Sequence, residues 1–244
     1  LTFPTSGAVQ DNADLVKNNY NDVETYGGRA ALKVDLDEDW TVTATLMGQK
    51  QVSNGFFAQE SGLPKLSVQQ YNRERFNDRW VQAGLVIEGK LGSFDVTYAG
   101  NYLVRQVDGQ SDYSEYAYFY DALFGYGAYF TDNNGNVINP NQYIVSDDSF
   151  TKQSHELRFA SPGDKPVRFI GGFFYQIQKH NIEQNYIIDN LGDDIAVSTR
   201  PDNIWLTKQI RTDRDYAAFG EITADVTDKL TATMGVRVYK YNNS

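Results

Sequence analysis

The chain holds two histidines, His155 and His180, and no cysteine. His155-Glu156 opens like the H-E-x-x-H zinc motif, but Phe159 stands where the second histidine belongs. The residues around it alternate as a strand does, and ligands four apart on a strand do not converge as they do on a helix. Two histidines also leave little material for a histidine metal site or a Ser-His triad. Asp35, Asp37 and Asp39 imitate the start of an EF-hand loop, yet Trp40 takes the place of its glycine and the acidic twelfth position is missing. A polar turn accounts for these three better than calcium does. In Asp132-Asn133-Asn134-Gly135-Asn136 the glycine is misplaced for the same motif, and Asn134-Gly135 instead predicts a type I′ turn closing a small hairpin. Gly125-Tyr126-Gly127 and Gly171-Gly172 lack the strand, turn and helix of a phosphate loop. No catalytic residue, metal ligand or cofactor is expected.

The remaining candidates suit binding. Between Ser111 and Phe130 stand Tyr113, Tyr116, Tyr118, Phe119, Tyr120, Phe124, Tyr126, Tyr129 and Phe130. Such rings can stack on a flat or sugar-like ligand, or on a catecholate or other aromatic chelator. They can equally pack the loop against its neighbours. Arg105, Arg158 and Arg237 could attract an anionic ligand, or pair with nearby acids. The candidate ligand-binding set is Tyr113, Tyr116, Tyr118, Tyr120, Tyr126, Tyr129 and Arg105.

Composition narrows what could position them. The net charge of −10 argues against nucleic acid, which attracts basic surfaces. No run of 18 apolar residues occurs, so no transmembrane helix is expected, but barrel strands give only a weak hydropathy signal. Aromatic residues make up 14% of the chain, a content that suits strands and membrane–water interfaces.

Period-2 alternation supplies the elements. Tyr26, Gly28, Ala30, Leu32, Val34 and Leu36 form one row, and Arg29, Lys33 and Asp35 lie on the other. After Asp37-Glu38-Asp39, Trp40, Val42, Ala44 and Leu46 oppose Thr41, Thr43 and Thr45. Three more hairpins repeat the pattern, turning near Leu91-Gly92-Ser93, Ser161-Pro162-Gly163-Asp164 and Thr227-Asp228-Lys229. About eight strands result, each roughly 10 to 14 residues long, enough to cover a ~25 Å apolar band at ~40° tilt. Within hairpins the turns are short; between them lie long connections, about Gln51 to Arg79, Gln106 to Thr151 and Asn181 to Arg211. Outer-membrane barrels place short turns on the periplasmic side and long loops outside. The apolar rows should face lipid and the charged rows a wet interior. Trp80 falls on the polar row, which suggests that its strand starts a residue or two later. Tyr26, Tyr175 and Tyr216 fall on apolar rows at outer strand ends, as an aromatic girdle would.

Three stretches carry a family likeness. Glu24-Thr25-Tyr26-Gly27-Gly28-Arg29-Ala30-Ala31-Leu32-Lys33 leads into Asp39-Trp40-Thr41-Val42-Thr43. His155-Glu156-Leu157-Arg158-Phe159-Ala160-Ser161 leads into Phe169-Ile170-Gly171-Gly172-Phe173-Phe174-Tyr175. Tyr216-Ala217-Ala218-Phe219-Gly220-Glu221 precedes Leu230-Thr231-Ala232-Thr233-Met234-Gly235-Val236-Arg237. In order and spacing these resemble the barrel of TonB-dependent receptors from Gram-negative bacteria. The resemblance implies a 22-stranded barrel plugged by an N-terminal domain, binding a scarce nutrient, commonly a ferric siderophore, and importing it with energy from the TonB system.

The expectation is therefore an all-β, antiparallel transmembrane β-barrel segment. It forms one partial barrel domain over 1–244, with about eight strands in four hairpins of a 22-stranded barrel. The polar, loop-like stretch 1–22 suits an internal part of a longer chain, and the plug and TonB-contacting segment lie outside the sequence. The expected partners are outer-membrane lipid, a small nutrient such as a metal chelate, and the TonB system through that plug. The expected location is the cell outer membrane. Two alternatives stay open: a complete eight-stranded barrel with a structural or adhesion role, in which the first strand pairs with the last, and a soluble carbohydrate-binding β-protein.

Overall fold

The computed structural model describes residues 1–244 and shows one antiparallel sheet with strands in sequence order. Its strands are β1 (Asp22–Asp35), β2 (Thr41–Asn54), β3 (Arg75–Leu91), β4 (Phe94–Asp112), β5 (Tyr143–Ala160), β6 (Val167–Ile187), β7 (Asn203–Thr227) and β8 (Leu230–Asn243). One helix, α1 (Ser114–Phe124), interrupts the series. No helix is long and apolar enough to cross a membrane.

The tight turns follow from local chemistry. In the first, Asp37 Oδ1 accepts hydrogen bonds from the amides of Asp39 and Trp40, both at 2.8 Å, which closes an Asx turn. In the second, Leu91 faces Phe94 across two residues, and Gly92 at φ +66° supplies the left-handed conformation that a side chain resists.

β1 and β8 do not pair, so the eight strands do not close on themselves. The reading as a complete small barrel fails on this point. The sheet is nonetheless staggered as a barrel wall must be. Val34, Val42, Ile87, Tyr98, Leu157, Phe173, Ala218 and Val238 form one hydrogen-bonded row. Below that row β1 continues only to Asp35, β3 to Leu91 and β7 to Thr227. The hairpin ends thus descend by roughly one residue per strand, the shear that accompanies strand tilt in a closed barrel. Tyr26, Tyr102, Tyr175 and Tyr216 fall on a line of the same slant, level in a tilted wall, where an aromatic girdle belongs.

The two faces differ as the alternation requires. Leu32, Leu46, Val81, Leu85, Phe169, Phe173, Ile222, Met234 and Val236 project outward and are exposed. On the opposite face Arg168 reaches Asp225 at 2.6 Å, Arg158 pairs with Glu156, and the guanidinium of Arg237 lies 5.5 Å from the Phe174 ring centre. Most of the 16 buried residues lie in neither face. They belong to a layer of connections at one end of the sheet.

The strands run further into that layer than expected. β2 reaches Asn54, β4 reaches Asp112 and β6 reaches Ile187, so the long connections shrink to 55–74, 113–142 and 188–202. β3 starts at Arg75, before Trp80 rather than after it, and Trp80 sits on the inner row opposite Arg105. The small hairpin forms, with Thr131 bridged to Val137, but it is not a type I′ turn. Gly135 donates to the Asp132 carbonyl at 3.0 Å and alone takes positive φ, +80°, giving a three-residue loop.

Candidate functional site

The connecting layer is organised by two aspartates. Asp112, at the end of β4, accepts the Tyr71 amide at 2.6 Å, the Asn72 side-chain amide at 2.9 Å and the Ser114 amide at 3.0 Å. Asn72 also donates to the Gln142 carbonyl at 3.1 Å. The Asp112 carboxylate thus ties connection 55–74 to the start of α1, and Asn72 carries the tie on to the residue before β5. Asp121, 1% exposed, does the same at the other end of the helix. It accepts the Gly127 amide at 2.8 Å, the Thr5 amide at 3.2 Å and the Thr5 hydroxyl. A Cβ on Gly127 would lie 2.7 Å from Asp121 Oδ1, so glycine is required there. Gly125, at φ +69°, stops the helix by donating to the Asp121 carbonyl at 2.8 Å.

α1 buries an unusual face. Ser114, Ala117 and Asp121, spaced three and four apart, point inward. The aromatics are left on the other side. Tyr116, Tyr120 and Phe124 follow at i, i+4 and i+8 and stack along the helix. Ring centres lie 4.4 Å apart for Tyr113–Tyr116, 4.5 Å for Tyr116–Tyr120 and 5.6 Å for Tyr120–Phe124. Tyr126 stacks on Tyr120 at 5.4 Å, and Tyr186 of β6 meets Tyr113 edge-on at 5.4 Å. The Tyr116 hydroxyl donates to the Tyr120 oxygen at 2.8 Å. Burial pushes the Tyr113 phenol above its ordinary value. The array offers ring faces and O–H donors.

Acids gather beneath this array. Glu74 accepts the Asp112 amide at 3.2 Å. Burial raises its carboxyl above the ordinary 4.5; the amide opposes the rise and the Asp112 charge adds to it. Burial raises Glu115 too, with Glu60 and Asp112 adding like charge. An acid with a raised native pKa holds its proton more tightly folded than unfolded. Its contribution therefore grows as pH falls through the native pKa toward 4.5. Segments 55–74 and 113–124 should exchange amide hydrogens more slowly at about pH 5 than at about pH 7.5, after correction for intrinsic rates. Equal or faster exchange at the lower pH would refute this.

No family model matches the chain, and no curated protein matches it. Eight chains of solved structures do, and two of them show the likeness. Over 91% of this chain and 31% of the other, it superposes on the ferric yersiniabactin uptake receptor FyuA from Yersinia pestis, with TM-score 0.61 and 12% identity. Over 90% of this chain and 28% of the other, it superposes on a structure of the RagAB peptide transporter, with TM-score 0.54 and 8% identity. The fold is that of an outer-membrane β-barrel wall. The chain spans under a third of either structure's length.

Of the residues expected to bind, Tyr113, Tyr116, Tyr120 and Tyr126 come together in one array. Tyr118 points elsewhere, its ring centre 6.3 Å from that of Phe3. Tyr129 is 73% exposed and apart from the stack. Arg105 is on the inner wall, held by Asp78 through bonds of 2.9 and 2.6 Å, with Phe150 beneath it at 5.6 Å. It is paired with an acid, as the second reading of the arginines had it. Tyr186, Asp112, Asp121 and Thr5 were not singled out in the sequence. The helix was signalled only by Asp112 before its first turn and Gly125 after its last.

Proposed function

We propose that this chain is part of the wall and outer loops of an outer-membrane receptor that captures a scarce nutrient at the loop layer. The observation that carries the reading is the continuous array Tyr113–Tyr116–Tyr120–Phe124. It is displayed by a helix whose buried residues, Ser114, Ala117 and Asp121, lie on its other face. Tyr113 touches the wall through Tyr186, and Tyr116, Tyr120 and Phe124 continue the array beyond it. A flat, aromatic or sugar-like ligand would stack on them, and the phenol O–H groups would donate to its oxygens. A ferric siderophore is the nutrient class proposed, and import would use energy from the TonB system through a plug in the barrel. The likeness in fold to a ferric chelate receptor supports this reading, while the second likeness makes peptides the competing class.

The test uses the full-length protein in outer membranes, offered panels of ferric chelates, peptides and oligosaccharides. Tyr116→Ala with Tyr120→Ala should weaken binding of the accepted chelate by ~10–100-fold, the effect of removing two central aromatic contacts. Binding should persist, and uptake stop, when the TonB system is removed. Binding of peptides or saccharides with no ferric chelate accepted would defeat the iron reading. An unchanged affinity in the double variant would defeat the site.

A further inference from the structure

The outward face of β6, β7 and β8 carries more than an apolar belt requires. Near the top of the belt a groove of ≈ 580 Å³ opens, floored by Ala218 and walled by Leu157, Phe173, Tyr175, Tyr216 and Val238. Just below it, Gly171 pairs with Gly220, so no side chain blocks the groove's continuation down the sheet. Its upper wall is a chain of rings. The Tyr98 hydroxyl sits 2.7 Å from His155 Nδ1, and the ring centres of His155–Tyr175 and Tyr175–Tyr216 are 6.3 and 5.1 Å apart.

Three outward cations start at the groove and climb away from it, Lys240 lining its edge. Lys240 lies opposite Tyr216, Arg214 opposite Asn242 and Lys179 opposite Thr212. Each is the diagonal cross-strand neighbour of the next, about 7–8 Å away. The diagonal climbs two residues per strand where the tyrosine line climbs about one, so the charges rise from Lys240, level with Tyr216, to Lys179, four residues beyond Tyr175 on β6. None of the three makes an ion pair, although ten such pairs occur elsewhere. The outward residues among them, Thr151, Gln153, Ile177, Thr212 and Asn242, carry no negative charge. One lysine above an apolar belt is ordinary snorkelling. Three unpaired cations in a row repel one another, and a bound anion relieves that repulsion.

We propose that this surface binds a phosphorylated glycolipid of the outer leaflet, of the lipid A type. Acyl chains would lie in the groove along Ala218, Gly171 and Gly220, and phosphates would bridge Lys179, Arg214 and Lys240. Three aligned cations suit a headgroup with more than one phosphate, and a groove spanning β5 to β8 suits several chains. A glycerophospholipid brings one phosphate and two chains. The inference rests on the outer-membrane reading, with the loop layer outside.

Native mass spectrometry of the full-length protein, purified in detergent, tests it with three probes: diphosphoryl lipid A, its dephosphorylated form and phosphatidylglycerol. Wild type should retain diphosphoryl lipid A preferentially. Lys179→Ser, Arg214→Ser and Lys240→Ser together should weaken that retention by roughly tenfold or more. Lys208→Ser, which removes a lysine already paired with Glu183 at 3.2 Å, should leave it unchanged. Gly220→Leu, where an added Cβ meets nothing closer than 3.8 Å, should reduce retention by filling the groove with every charge kept. Equal retention of the dephosphorylated lipid or of phosphatidylglycerol by wild type would overturn the proposal, and needs no variant to fold. Nutrient uptake measured beside it separates the two readings. Lipid retained without nutrient binding defeats only the receptor, and nutrient uptake with no lipid preference defeats only this site.

Discussion

Ile222→Arg is expected to prevent the full-length protein from assembling in the membrane, while Thr223→Arg, one residue along, leaves assembly intact. Ile222 lies on the outward row of β7, between Phe169 and Met234. Its row runs from Tyr216 to Val226, about 10 residues, so it sits well inside the apolar band. An arginine facing lipid near mid-height costs ~2–4 kcal/mol. Thr223 faces the other way, and its hydroxyl is 3.1 Å from that of Thr233. An arginine there joins a surface that already holds Arg168, Arg158 and Arg237. The chain itself observes the rule in β8, where outward Val236 is followed by inward Arg237. The folded fraction, read from the heat-modifiable gel migration of unheated barrels, should fall sharply for the first variant only. Equal loss in both, or in neither, would mean that the outward rows do not face lipid.

That prediction uses the part of the fold most legible in the sequence. Alternation placed all eight strands, because a wall wet on one side and lipid-covered on the other imposes period two. The same signal misplaced the strand ends, for a physical reason. Above the tyrosine line both faces are wet. Lys50, Arg79, Gln106 and Ser149 point outward there while Trp80, Arg105 and Phe150 point inward, yet the ladder continues pair by pair on backbone hydrogen bonds. Alternation marks the membrane, and pairing marks the strand. The helix was hidden differently. Its anchored face is Ser114, Ala117 and Asp121, which no apolar periodicity reveals, and its aromatics face away from the anchor. The bond from the Thr5 amide to Asp121 spans 116 residues and follows no local rule.

Asp121→Ala should therefore dismantle the loop layer while sparing the wall. Its carboxylate serves two backbone amides and a hydroxyl with almost no access to water. Hydrogen bonds to a charged group contribute ~1.5–3 kcal/mol each, and removing the acceptor leaves buried donors unsatisfied. Because the three act as a unit, the total is about 3–5 kcal/mol rather than their sum. The loss falls on a layer built from few contacts. Without Asp121, residues 1–10 lose their bond to α1, and Phe3, now fully buried, comes free. Gly127 loses the bond that folds Tyr126 back onto Tyr120. Asp121→Asn keeps the size and one acceptor oxygen, so it should lie between. Limited proteolysis of the full-length protein should show cleavage within 1–21 and 113–142 in the alanine variant, with nutrient binding lost. The unheated gel migration should stay that of a folded barrel, because the strands share no hydrogen bond with Asp121. Unchanged protection of both segments would show that the aromatic array does not depend on this carboxylate. Loss of the folded barrel form would show that wall and loop layer unfold as one unit.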